Sequence, residues 1–186
     1  MKRWKWIITV VAALLLLIAF VGMPYAREQT KKHSPQKTST YSQNGMDLSV
    51  NYSSPFKKDR VIFGELVPFD VVWRTGANEP TVFSTASDIT IIDKPLAAGT
   101  YSLWTKPGKA SWTVMLNKEV PDWGVTILSG GKETTRDPAA DVLEVEVPVT
   151  NMSSPAESFT IDFEETDATY LTLYWDTTKI MVPISK

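Results

Sequence analysis

Leu143-Glu144-Val145-Glu146-Val147-Pro148-Val149 sends every second side chain to oil and the others to water. A repeat of two is the signature of a strand with one buried and one wet face. The rule recurs through most of the chain. Leu48, Val50 and Tyr52 obey it, as do Trp112, Val114 and Leu116. So do Phe159, Ile161 and Phe163, then Leu171, Leu173 and Trp175, then Ile180, Val182 and Ile184. No stretch beyond residue 45 holds a helical stripe over three turns. One wet and one dry face per strand points to antiparallel pairing. The pattern predicts about nine or ten short strands in an all-β fold, an antiparallel two-layer sandwich or a jelly-roll-like barrel.

The connections fit hairpins. Lys106-Pro107-Gly108-Lys109 sets Pro and Gly where a type II turn wants them. Ser129-Gly130-Gly131-Lys132 reads as a second turn, and Trp175 to Lys179 as a tight reversal between the last two strands. Pro68, Pro95, Pro148 and Pro183 lack a ladder donor and belong on edges or at strand ends.

Ahead of this lies a different kind of sequence. Lys2, Arg3 and Lys5 precede an uncharged run from Trp6 to Met23. As a helix that run spans roughly 27 Å, close to the hydrocarbon thickness of a bilayer. Trp4, Trp6 and Tyr25 flank it at headgroup level. The run is longer than the apolar core of a secretory signal, and Pro24-Tyr25-Ala26 makes a poor cleavage site, so a retained anchor is favoured. The expected organisation is a cytoplasmic basic tip at 1–5, a transmembrane anchor at 6–23, a flexible polar tether at 24–45 and a β-sandwich at 46–186. The domain is expected outside the cytoplasm on a single-pass anchor, or secreted if the segment is cleaved. The bilayer is then its first partner.

Charge and composition narrow the chemistry. The 186 residues carry a net charge of −2, but residues 1–45 hold seven bases against one acid and the remainder twelve against twenty. An acidic domain repels phosphate backbones, so no nucleic-acid partner is expected. The chain has no cysteine, and its one histidine, His33, falls in the tether. That leaves the domain without a Ser-His-Asp or Cys-His arrangement and without the usual zinc ligands. No cofactor, metal or catalytic residue is assigned.

Several fragments carry a resemblance: Arg60-Val61-Ile62-Phe63-Gly64, Val67-Pro68-Phe69, Trp73-Arg74-Thr75-Gly76-Ala77-Asn78-Glu79, Trp123-Gly124 and Leu171 to Trp175. From Met46 to the end, the chain resembles an uncharacterised bacterial family, domain of unknown function 2911. It departs from that pattern at Ser54, or one residue earlier at Ser53, where a basic residue is expected before Pro55. The resemblance implies an envelope-located, largely β domain and supplies no activity to transfer.

Two features stand out as candidate ligand contacts. Arg74, Asn78 and Glu79 sit in one loop, where they could grip an anionic or hydroxylated ligand. Alternatively, Arg74 pairs with Glu79 or Asp70 and merely pins the loop. Trp104 is out of phase with Tyr101 and Leu103, so it either stacks on a sugar from an exposed position or covers the second face of the sheet. The preferred expectation is a non-catalytic binding module for a glycan or an envelope protein. The alternatives are a carbohydrate-active enzyme using paired carboxylates, or a structural subunit of an envelope assembly.

Overall fold

The computed structural model describes residues 2–126 and 129–186. The chain divides into two compact units, Met1–His33 and Ser34–Lys186.

The first unit is helical. Helix α1 (Lys2–Leu17) passes through a π-helical turn at Ile18–Gly22 into α2 (Met23–Lys31). Pro24 has no N–H to offer the preceding turn, a defect that usually kinks a helix. Here the widened turn comes just before it, with the Met23 N–H reaching back to the Ile18 carbonyl. A π-turn of this kind lets the helix continue through the proline. Arg3–Lys31 thereby forms one helix long and apolar enough to cross a membrane, with its apolar window unburied.

The second unit holds β1 (Gln36–Gln43), β2 (Met46–Ser53), β3 (Thr81–Thr85), β4 (Ile89–Ile91), β5 (Lys94–Leu96), β6 (Gly99–Pro107), β7 (Ser111–Asn117), β8 (Asp141–Glu165) and β9 (Thr169–Ser185). They form one antiparallel sheet in the order β1-β2-β3-β6-β7-β8-β9-β4-β5. The sheet is not closed into a barrel, so the sandwich-like alternative is the one realised.

The stretch read as a tether, 24–45, is divided between the units. Its first part extends the helix to Lys31, and Gln36–Gln43 pairs along its whole length with β2, from Gln36 opposite Ser53 to Gln43 opposite Met46. Strand β1 hides from hydropathy because it is an edge, and among its residues only Tyr41 is buried. That phenol anchors it. Its oxygen lies 3.1 Å from Glu165 Oε2, 3.0 Å from Thr169 Oγ1 and 2.8 Å from Asn44 Nδ2.

Strands β8 and β9 carry the largest departure from expectation. The reversal expected at Trp175 to Lys179 is a bend within β9, and the true hairpin lies at 166–168, closed by Thr166 N–H on the Ala168 carbonyl. Asp176 takes φ 53° at that bend, a conformation Asp tolerates, and Lys57 Nζ holds its carboxylate at 2.7 Å. The β8–β9 register slips between Asn151 and Thr160, as bulged strands do when a sheet turns a corner. Pro148 falls where β8 changes partner. It is opposite Ser111 of β7, and the next residue, Val149, faces Ile180 of β9. A missing N–H costs nothing at such a handover. The turn after β6 also differs from expectation, because Gly108 is not in the positive-φ region a type II turn requires. Its N–H bonds the Ser111 carbonyl at 2.9 Å instead, and a side chain at 108 would collide with that oxygen.

The alternating apolar residues meet in one core. Its centre is aromatic: Trp73 lies 4.9 Å from Phe159 and stacks on Trp175 at 6.3 Å, while Phe63 meets Trp112 edge-on at 4.9 Å. Such tilted and offset rings add to the apolar area they bury.

Candidate functional site

Between β2 and β3 the chain makes no regular strand from residue 54 to residue 80. Its backbone groups are satisfied piecemeal. Trp73 and Thr105 exchange backbone bonds of 2.7 and 3.1 Å, and Trp73 Nε1 donates to the Gly76 carbonyl at 3.0 Å. The loop then turns through three positive-φ positions in four residues: Thr75 (57°), Gly76 (142°) and Asn78 (59°). Gly76 is required there, because a Cβ would lie 2.7 Å from the Ser53 carbonyl oxygen. Thr75, β-branched and strained at that φ, is wholly buried and bonded through its hydroxyl to Thr105 at 3.0 Å. Its carbonyl accepts from Thr81 Oγ1 at 2.5 Å. The loop is rigid, over-determined structure.

What it presents differs in part from expectation. Among the described residues Arg74 pairs with neither Glu79 nor Asp70. Its Nε is buried without a hydrogen-bond partner, and desolvation holds the guanidinium below its ordinary pKa. Asn78 is only 8% exposed, and its Nδ2 also lacks a partner. Arg74 and Glu79, five residues apart, open onto different clefts, Glu79 lining one with Tyr52, Pro80 and Asp122. Trp104 does not join them. It is fully buried, and its indole N–H donates to Ser102 Oγ at 2.8 Å. It lies on the face of β6 away from the main core, opposite Met115, so it covers the second face and offers no platform to a sugar. Glu119 and Asp137 are tied to β6 and β7 by Ser102 Oγ on the Glu119 carbonyl and Asn117 Nδ2 on the Asp137 carbonyl.

The segment between them supplies the other wall of the Arg74 cleft. Val125 bridges to Thr134, and Ser129 to Gly131 form a turn with Gly130 and Gly131 at positive φ, as the Ser-Gly-Gly-Lys sequence suggests. Gly124 N–H bonds the Asn78 carbonyl, and Gly124 packs so closely on Arg74 that a Cβ would come within 2.5 Å of its Cδ. The resulting cleft has a volume of about 400 Å³, within the usual range for small-molecule sites. Leu66, Val71, Trp73 and Val125 give it apolar walls, Arg74 and Lys132 give it charge, and none of the described residues lining it is a carboxylate. Leu66 and Val71 are 44% and 46% exposed, which is high for apolar residues flanked by a structured loop.

Lys132, Leu66 and Val71 escaped sequence reasoning. A lysine after two glycines reads as turn decoration, and exposed apolar residues in a segment without periodicity carry no address. The acids of 137–141 have structural duties: Asp137 caps the short helix at Pro138–Ala140, and Asp141 is bonded by Arg136 and Asn117. Among the described residues no group of three or more His, Cys, Asp or Glu side chains is placed to hold a metal ion.

No curated protein and no solved structure matches the chain. A family match does exist, spanning residues 34–184, which is the whole β unit including the edge strand β1. The chain belongs to the family described as protein of unknown function DUF2911.

Proposed function

We propose that the chain is a non-catalytic binding module held at a bacterial envelope membrane by its N-terminal helix, with the β unit on the extracytoplasmic side. The observation that carries this reading is the Arg74–Lys132 cleft, apolar-walled and cationic, on a rigid loop scaffold. Preformed concave sites with few polar groups are the usual form of a ligand pocket. A two-carboxylate hydrolase needs facing acids, and the cleft lining offers none among the described residues. The early bases Lys2, Arg3 and Lys5 favour a cytoplasmic N-terminus.

Thermal unfolding of the full chain in nanodiscs tests the cleft. Ligands drawn from envelope small molecules should raise Tm for the native chain but not for Val125→Trp, which fills the cleft, and no product should form. Equal stabilisation of both proteins, or turnover of a stabilising compound, would remove the reading. Protease added to intact spheroplasts should digest the β unit; protection would reverse the topology.

A further inference from the structure

We infer that the cleft takes a small amphipathic anion, an oxyanion head on a medium-length apolar chain. This rests on the binding reading above and names the ligand chemistry.

The two halves of such a molecule match the two halves of the cleft. Leu66, Val71 and Val125 offer apolar surface that water now covers in part, and sealing it against hydrocarbon is favourable. Arg74 and Lys132 approach from separate segments, one from the rigid loop after Trp73 and one from beside the turn near the Val125–Thr134 bridge. With no described acid in the lining to neutralise them, both charges are available to a guest. Arg74 itself is largely desolvated, and its buried Nε has no hydrogen-bond partner among the described residues. An oxyanion in the cleft would compensate the two cations that line it with charge-assisted contacts. The lowered pKa of this guanidinium reflects the same desolvation. A neutral sugar would leave the cations uncompensated, and a cationic amphiphile would be repelled. The volume suits one small molecule and not a folded partner.

Carboxylate and phosphate heads share this chemistry, so the test separates them. The full chain in zwitterionic nanodiscs, with valine methyls labelled, is titrated with octanoate, octyl phosphate, octanol and octyltrimethylammonium. Methyl signals of Val71 and Val125 report occupancy of the cleft independently of partition into the bilayer. The expected result is saturable shifts with octanoate or octyl phosphate, the tighter one naming the head. Octanol should bind about tenfold more weakly, as loss of a charge-assisted contact implies. Arg74→Gln and Lys132→Gln should each erase most of that preference. Lys132 is exposed beside its turn, so its variant tests the idea even if Arg74→Gln perturbs the loop. Octanol binding as tightly as the anions would overturn the anionic assignment and leave the cleft as a binding site. Silence of both methyls toward all four probes would sink the assignment and the cleft together.

Discussion

The ribbon β8–β9 and the irregular stretch 54–80 hold the same domain together by opposite means. In the ribbon, backbone groups pair with the neighbouring strand and side chains need only alternate. Leu143, Val145, Val147, Phe159, Ile161, Leu171, Leu173 and Trp175 all reach the core. In the irregular stretch the backbone has no partner strand, so side chains and single bridges must hold it. Trp73 Nε1 donates forward to Gly76 in its own loop, Thr75 sits strained and buried, and Arg74 and Asn78 keep atoms unpartnered among the described residues. No buried side-chain polar atom of β8 or β9 is found without a partner among the described residues, whereas Arg74, Asn78 and Trp112 of other segments each carry one.

Four perturbations would sharpen or break this contrast. Trp175→Ala in the ribbon should cost the most, about 3–5 kcal/mol as for other large aromatic truncations, read by denaturant unfolding of the full chain. Gly76→Ala strikes the irregular stretch through backbone conformation, with φ at 142° and the Ser53 carbonyl 2.7 Å from the new atom. About 2 kcal/mol is expected from strain of this kind. If it instead costs less than a few tenths, the loop is not over-determined and the contrast fails. Tyr41→Phe cuts the phenol's bonds to Glu165 and Thr169 and should cost about 1 kcal/mol, because Asn44 and Glu165 can still bond each other and Ser39 still holds Ile161.

The smallest effect concerns pH. Asp167, in the β8–β9 turn, is held below the ordinary carboxylate pKa by the Thr166 hydroxyl first, then by backbone N–H and the Tyr170 phenol. A depressed pKa means its contribution is present above the unfolded value and is lost as pH falls through the folded one. The group is fully exposed, so the change should be slight. NMR titration should show Asp167 protonating below a free aspartate, with Thr166→Ala moving it back up.

The alternation along the ribbon was legible in sequence, while its hairpin and the contacts of the irregular stretch were not, for a physical reason. Burial on alternate positions writes itself into hydropathy, so Leu48 to Tyr52, Trp112 to Leu116 and Ile180 to Ile184 are found where their pattern put them. The bend at Asp176 looked like a reversal, because an Asp-Thr-Thr cluster is compatible with either. Strand β1 escaped because its partner covers one edge and its faces are nearly all wet. The Arg-Thr-Gly-Ala-Asn-Glu loop was found as a candidate, and its left-handed turns at Gly76 and Asn78 were foreseeable from residue type. Which side chains share a cleft depends on contacts distant in sequence, as between Gly124 and Arg74, and no local pattern encodes those.

Because β8 and β9 run unbroken through the corner where the sheet turns, neither half of the fold can breathe alone. Local opening on one side must strain the same two chains on the other, so slow amide hydrogen exchange along β8 and β9 should rise and fall as a unit. Protection should fall off beyond the ends of these two strands.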